Sequence, residues 1–161
     1  MKSTIKATAY ILNKIFNENK DYEKEIRKRV KISEKKHNGS LFTNKAWSYE
    51  KDELHKKYYT VIISDVIVKN YSEVDSSEIP DEFKEFSNRK SRYFKNDNPI
   101  INQKVLILND PSINPFIPSF IASFKETFFY YDEWYFNKDL IEWFNPDIVL
   151  EIREFVKMFP Y

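Results

Sequence analysis

Hydrophobic residues recur at helical spacing along the first part of the chain. Between Thr4 and Lys36 they mostly follow one another at intervals of three or four residues, and the polar run Asn17 to Asp21 interrupts the pattern. We therefore predict two amphipathic helices in this segment. The pair Asn38-Gly39 is expected to end the second helix, because Asn and Gly readily adopt the left-handed conformation found at helix C-termini.

The middle of the chain is less regular. The segment Tyr58 to Val68 is dense in β-branched and aromatic residues, which is compatible with either a strand or a buried helix. The polar segment Ser72 to Asn98 is expected to be a connecting stretch with one short helix near Asp81 to Phe86. It is also the segment in which we expect a mobile loop.

The C-terminal half has a clear alternation of elements. Three apolar runs are typical of buried strands: Lys104 to Leu108, Glu126 to Tyr131 and Asp147 to Ile152. Between them, Pro118 to Phe124 and Lys138 to Phe144 each carry apolar residues on one helical face. This βαβαβ order predicts a parallel sheet flanked by helices, with any ligand site at the carboxyl ends of the strands.

Length sets the domain organisation. A chain of 161 residues and 19.5 kDa fits one domain with a substantial core. We predict a single α/β domain over residues 1–161, in which a helical N-terminal part (1–57) precedes the βαβαβ core at about 101–156. The expected architecture is a three-layer, flavodoxin-like arrangement with the parallel sheet between helices.

Composition and charge exclude several functions. With 42% hydrophobic and 32% charged residues, the chain is expected to be soluble, without a transmembrane segment. Its net charge of +1 argues against nucleic acid as a partner. The basic cluster Arg27, Lys28, Arg29 and Lys31 is the feature that favours nucleic acid, but it is more typical of a solvated helix face. The absence of cysteine excludes thiol chemistry, and a single glycine excludes glycine-rich phosphate loops, so we expect no cofactor.

Lysines interrupt the apolar residues between Met1 and Lys20, so the sequence encodes no secretory signal there. If Met1 is the native start, a cytoplasmic location is expected. The sequence indicates no oligomeric state.

Polar residues follow the first predicted strand of the core. Ser112 would act as a nucleophile if a base reached it, whereas Asp110 and Asn114 would orient a ligand or stabilise an oxyanion. The alternative is a plain strand-to-helix turn, in which Asp110 or Ser112 caps the following helix.

The chain has two histidines, His37 and His55, so a serine–histidine mechanism must use one of them. His55 follows Asp52 within the charged run KDELHKKYY, which is also typical of a solvated helix face. Neither HxH nor HxxxH spacing occurs, and we therefore predict no metal site.

One part of the chain resembles a known family. The strand before Asp110 leads into a polar turn, and the last predicted strand begins with Pro146-Asp147-Ile148-Val149, followed by Glu151 and Glu154. With these motifs, the segment Tyr93 to Val156 resembles the C-terminal part of the SGNH-hydrolase-like domain of alginate O-acetyltransferases and related cell-surface polysaccharide acetyltransferases. The resemblance implies an SGNH-like fold.

The departures from that family fall on its catalytic motifs. Where the family has Gly-Asp-Ser, this chain has Asn109-Asp110-Pro111, so a proline stands at the nucleophile position and Ser112 follows one residue later. The family's Asp-x-His-Trp is matched only by Asp52 and His55, with one extra residue between them and no following Trp. The resemblance thus implies a divergent polysaccharide O-acetyltransferase or esterase-type domain that is catalytically impaired. If active, it implies Ser112 as nucleophile, His55 as base and Asp52 as the residue that orients the base.

An aromatic run suggests a second hypothesis. Phe128 to Phe136 holds seven aromatic residues in nine positions, which is more than one face of a short strand can bury. An exposed ring, with Trp134 as the candidate, would stack on a sugar or contact a partner protein. The alternative is that these rings belong to the core. The second hypothesis is therefore a non-enzymatic protein- or carbohydrate-binding assembly module.

Overall fold

The computed structural model describes residues 2–37, 61–68, 70–131 and 137–153. Its helices are α1 (Lys2–Phe16), α2 (Tyr22–Arg29), α3 (Asp81–Lys84), α4 (Ile117–Ser123) and α5 (Lys138–Phe144). Its strands are β1 (Val30–His37), β2 (Val61–Val68), β3 (Tyr71–Glu73), β4 (Glu85–Phe86), β5 (Arg89–Lys90), β6 (Arg92–Asn96), β7 (Ile101–Asn109), β8 (Phe124–Tyr131) and β9 (Ile148–Ile152). Two short 3₁₀ turns lie at Ser76–Glu78 and Pro111–Ile113.

A five-stranded sheet forms the centre of the molecule, with the strand order β3-β6-β8-β7-β9. Strand β7 pairs in parallel with both β8 and β9, whereas β6 is antiparallel to β8 and to β3. Four strands therefore share one direction and β6 alone runs against them. The predicted βαβαβ unit is confirmed as β7, α4, β8, α5 and β9, and so is the α/β fold class with a mostly parallel sheet between helices.

Alternate residues of β7 divide the core between the two faces of the sheet. Val105 and Ile107 belong to one apolar cluster, which includes residues of α1, α2 and α4, whereas Leu106 belongs to another that includes residues of α3 and α5. All three side chains are fully buried. This is the expected result for a strand whose successive side chains point to opposite faces of a sheet covered on both sides.

The two N-terminal helices form, but the second is shorter than predicted. Asp21 caps α2, since its side chain accepts a hydrogen bond of 3.0 Å from the backbone N–H of Lys24. The helix ends at Arg29, so the prediction of helix as far as Lys36 is wrong. The expected helix stop at Asn38-Gly39 lies outside the described residues.

After α2 the chain continues as strand β1, because this segment pairs with strand β2, which is distant in the sequence. Strands β1 and β2 pair antiparallel over eight residue pairs, from Val30 with Val68 to His37 with Val61. Val30 and Val68 are buried in the same cluster as α1 and α2. The sequence left residues 58–68 open between a strand and a buried helix. Residues 61–68 form a strand, in a two-stranded sheet separate from the central one.

The expectation of a connecting stretch over Ser72 to Asn98 is wrong, although the short helix predicted near its middle is confirmed as α3. The segment contains strands of the central sheet. In β6 the polar Arg92 and Lys95 are exposed, whereas Tyr93 and Phe94 are buried. Exposed charges on this strand explain its polar composition.

Among the described residues, no helix has the length and apolar character needed to cross a membrane.

Candidate functional site

The carboxyl end of β7 leads into a turn built by one carboxylate. Asp110 Oδ1 accepts a hydrogen bond of 2.8 Å from the backbone N–H of Ser112, and the Ser112 hydroxyl donates to the same oxygen. These bonds cap the 3₁₀ turn Pro111–Ile113. The interpretation of this segment as a turn is therefore confirmed, with Asp110 capping the 3₁₀ turn. The expected cap on the following helix is wrong, because α4 begins after Phe116 without a side-chain cap.

The structure places some of the predicted catalytic residues and not others. Ser112 is half-buried and its hydroxyl is hydrogen-bonded to Asp110, while Pro111 is exposed beside it. Asp52 and His55 lie outside the described residues, so their roles as orienting residue and base stay predictions. Asn114 is exposed at the end of the turn.

A short hairpin, which sequence analysis missed, lies over the carboxyl end of β8. Strands β4 and β5 are joined by Ser87 and Asn88, both of which have positive φ angles, of 48° and 63°. This is the geometry of a type I′ two-residue turn. Phe86 of the hairpin packs against Tyr130 and Tyr131 of β8, with ring centroids 6.5 and 6.4 Å apart.

Ser91 attaches the end of this hairpin to α3. Its backbone N–H donates to the carbonyl oxygen of Lys84 (2.7 Å), and its hydroxyl donates to that of Phe83 (2.6 Å). Phe83 is buried in the same cluster as Phe128 and Leu140. The hairpin is thus fastened to the core at its base and to β8 by its aromatic side chain.

A cavity of about 110 Å³, called here the strand-end pocket, lies between the hairpin and the ends of β7 and β8. Its polar and charged lining residues are Arg89, Lys90, Arg92, Asn109, Asp110 and Asn114. Two predicted site residues, Asp110 and Asn114, therefore meet there. The three cationic residues come from β5 and β6, and nothing in the local sequence pattern signalled that they would lie at this edge of the sheet.

The three cationic side chains differ in how their charge is balanced. The Arg92 guanidinium forms a bidentate pair with Glu73, with Nε to Oε1 at 2.9 Å and Nη2 to Oε2 at 3.2 Å. The Arg89 guanidinium carbon lies 4.5 Å from the centroid of the Tyr131 ring. Neither Arg89 nor Lys90 forms an ion pair with a carboxylate of the described residues.

Asn109 ends β7 with one of its two side-chain polar atoms unpaired. The residue is 6% exposed, and its Nδ2 donates to the carbonyl oxygen of Asp110 (3.1 Å). Its Oδ1 is buried and has no hydrogen-bond partner among the described residues. Such an acceptor costs on the order of 1–3 kcal/mol of stability.

The aromatic run and the basic cluster both have structural explanations. Phe128, Phe129 and Tyr130 are buried, which confirms the core interpretation for that part of the run, while Trp134 lies outside the described residues. The basic side chains of α2 pair with acidic residues of the same helix, Arg27 with Glu23 at 2.7 Å and both Lys28 and Arg29 with Glu25 at 2.6 and 2.9 Å. These internal pairs match a solvated helix face.

The class of fold follows from this arrangement. The mostly parallel five-stranded sheet between helices makes this an α/β domain, and its architecture is consistent with an SGNH-like fold. No family model matches the chain, and no curated protein matches it.

Comparison with solved structures found similar chains, and the first of the two described next supports the fold assignment. The structure of Bacillus cereus PatB1 is similar, with a TM-score of 0.53 at 15% identity, covering 93% of this chain and 57% of that one. The structure of PatB1 with a sulfonyl adduct matches with a TM-score of 0.35 at 26% identity, covering 39% of this chain and 23% of that one. The chain thus spans little more than half the length of PatB1, and the likeness concerns the fold.

Proposed function

We propose that this chain is a divergent SGNH-like domain of the polysaccharide O-acetyltransferase or esterase type that is catalytically impaired. The polysaccharide O-acetyltransferase-like fold supports the first part of the proposal. The observation that carries the second part is the turn after β7, where Pro111 stands at the family's nucleophile position and the hydroxyl of the next residue, Ser112, donates to Asp110.

The hydrogen bond between Ser112 and Asp110 works against catalysis by the displaced serine. In acyl transfer, Ser112 Oγ would attack the acyl carbonyl carbon and give its proton to His55, with Asp52 orienting the imidazole. Asp110 accepts the hydrogen bond of that hydroxyl instead, and a carboxylate is a much weaker base than an imidazole. It also adds negative charge close to the atoms on which negative charge develops in the tetrahedral intermediate.

The test is ester turnover with p-nitrophenyl acetate. Wild type, Ser112→Ala and His55→Ala are expected to show the same background rate. If Asp52 and His55 can serve position 111, Pro111→Ser should raise turnover above that of the matched control Pro111→Ala. Wild-type turnover that both Ser112→Ala and His55→Ala abolish would refute the impairment and establish a working serine one residue beyond the family position.

The second candidate function is a non-enzymatic protein- or carbohydrate-binding module. The strand-end pocket favours it, because two cationic side chains there lack an ion-pair partner among the described residues. Failure of Pro111→Ser to gain turnover over Pro111→Ala, with both variants folded, would favour this candidate over the enzyme.

A further inference from the structure

The two edges of the central sheet differ in how well they are protected. Strand β3 at one edge has three residues, all exposed, and Glu73 there pairs with Arg92. Strand β9 at the other edge has five residues, Ile148–Ile152, and pairs with β7 in unbroken register. Natural proteins protect sheet edges with short strands, charges, prolines or bulges, because the exposed N–H and C=O groups can pair with another chain. Strand β9 is the less protected edge, since it is longer, contains no proline and carries a single charge, that of Glu151.

Strand β9 has apolar side chains on both of its faces. Ile148, Leu150 and Ile152 are half-buried and pack against the apolar cluster that includes residues of α1, α2 and α4. Val149 lies on the opposite face, beside Leu106 of β7, and is 44% exposed. Among the described residues, no strand pairs with the outer edge of β9. Apolar side chains on both faces of an open edge are typical of a strand that has a further strand beside it.

The sequence of β9 is complementary to itself. When two copies of a strand pair antiparallel about a two-fold axis, one residue lies opposite its own counterpart. With Leu150 at that position, every residue of β9 is paired, and Ile148 lies opposite the partner's Ile152. The half-buried side chains of the two copies then form one continuous apolar strip on the face that α1, α2 and α4 cover. Apolar residues directly opposite each other are the pairs that stabilise neighbouring strands.

The charged residues on the opposite face agree with the same register. Glu151 lies opposite the partner's Val149, and Asp147, just before β9, lies opposite the partner's Arg153, just after it. An axis at Glu151 would place two glutamates opposite each other, which is unfavourable. An axis at Val149 would leave two residues of β9 outside the pairing. The axis position at Leu150 therefore suits both the apolar and the charged residues.

We propose that the outer edge of β9 is an interface at which two copies of this chain pair antiparallel, with Leu150 on the two-fold axis. The central sheets of both copies then join into one continuous sheet. So short an edge buries less than the roughly 1,600 Å² of a standard interface, and we expect a weak dimer with a dissociation constant on the order of 10–100 µM. Pairing requires no chemistry at Ser112, so this proposal and the proposed function can fail separately.

The first experiment is sedimentation velocity of the full chain at concentrations from about 1 to about 500 µM, a range that brackets the expected dissociation constant. Wild type should change from monomer to dimer within it. Val149→Glu should weaken the dimer about tenfold, because it places a second glutamate opposite Glu151 at two symmetric positions, whereas Val149→Lys should preserve or strengthen the dimer. The two variants change the same exposed side chain, so loss of apolar contact alone would affect both equally. Combining Val149→Glu with Glu151→Lys should restore the dimer, because the facing charges are opposite again.

The second experiment is disulfide cross-linking, which tests the register. The chain contains no cysteine, so a single introduced thiol can pair only with its counterpart in another copy. Leu150→Cys places two thiols directly opposite each other, with Cα atoms about 4.5–5.5 Å apart, which a disulfide spans. Mild oxidation should therefore cross-link this variant. The matched control Val149→Cys leaves its Cα atoms roughly 8 Å apart, which is too far for a disulfide, and should not cross-link although this position is more exposed.

Three results would overturn the proposal. The first is a wild-type chain that stays monomeric at every concentration, which would favour a strand of another protein as the occupant of this edge. The second is a dimer that Val149→Glu and Val149→Lys weaken alike, because its interface would lie elsewhere or in another register. The third is cross-linking of Val149→Cys as readily as of Leu150→Cys. A dimer that Val149→Glu weakens, Val149→Lys preserves and Leu150→Cys alone cross-links supports it.

Discussion

The hydroxyl of Tyr93 on β6 donates a hydrogen bond to the carboxylate of Glu126 on the neighbouring strand β8. The Tyr93 side chain is buried among aromatic rings, with the Phe128 and Phe144 rings 5.8 and 5.5 Å from it and close to perpendicular. Burial, followed by the hydrogen bond to Glu126 and the nearby negative charge, raises the pKa of Tyr93 above its ordinary value of 10.0. The protonated form of Tyr93 is therefore favoured in the folded state.

This relationship predicts a loss of stability at alkaline pH. Because the folded-state pKa of Tyr93 is above the unfolded value, its contribution is fully present below about pH 10 and is lost as the pH rises through the folded-state pKa. Tyr93→Phe should remove this part of the pH dependence and cost about 1.5–3 kcal/mol at pH 7, the value of a hydrogen bond to a charged group. Urea unfolding at pH 7 and between pH 9.5 and pH 11 (about the range in which free tyrosine titrates) measures both.

The matched control is Tyr71→Phe, which changes an exposed tyrosine on β3. It should alter neither the stability at pH 7 nor the alkaline slope. An alkaline slope that is identical in wild type and Tyr93→Phe would contradict the role assigned to the Tyr93–Glu126 hydrogen bond.

The elements that could be predicted from sequence are those whose partners are close along the chain. Strand β7 was predicted from its continuous apolar run, because burial on both faces requires apolar residues at successive positions such as Val105, Leu106 and Ile107. Strand β1 could not be predicted in this way, since Ile26 and Val30 keep helical spacing. The segment becomes a strand because it pairs with β2, which begins at residue 61. Pairing between strands that are distant in sequence cannot be read from the local pattern of hydrophobic residues.

The candidate site divides in the same way. The turn at Asp110 was predicted, because Asp and Pro after a strand have local conformational preferences. The cations of the strand-end pocket were not, because Arg89 and Lys90 reach it through packing of Phe86 on β8. A two-residue strand with exposed charged side chains has no hydrophobic periodicity to reveal it.

Acid pH should act through Glu25 of α2. Hydrogen bonds from Lys28 and then from Arg29 lower the pKa of Glu25 from 4.5 to about 2. The contribution of this carboxylate to stability is therefore present above about pH 4.5 and is lost as the pH falls towards 2. Glu25→Gln should flatten the acid limb of a plot of unfolding free energy against pH in this window, whereas Glu82→Gln, at an exposed position of α3, should leave it unchanged.

Thr127 is a buried residue of β8 whose hydroxyl can be removed with a gain in stability. The residue is 1% exposed, and its hydroxyl has no hydrogen-bond partner among the described residues. Thr127→Val keeps the β-branched shape that suits a central strand and replaces the unpaired hydroxyl with a methyl group. We expect an increase of about 1 kcal/mol in the free energy of unfolding, measured by urea denaturation. The control Thr127→Ser keeps the hydroxyl and loses the methyl group, so it should be less stable than wild type. If Thr127→Val were less stable than wild type, the hydroxyl would have a hydrogen-bond partner after all.

The turn of the β4–β5 hairpin offers a test of stability. Asn88 has a φ of 63°, which lies in the left-handed region. Glycine is favoured at this second position of a type I′ turn. A residue that has a Cβ and no compensating side-chain hydrogen bond destabilises the turn by roughly 1–2 kcal/mol. Asn88→Gly should therefore raise the free energy of unfolding by about 0.5 kcal/mol or leave it unchanged, and Asn88→Ala should lower it by about 1 kcal/mol. Urea unfolding of both variants measures the difference, and an Asn88→Ala variant as stable as Asn88→Gly would contradict the type I′ assignment.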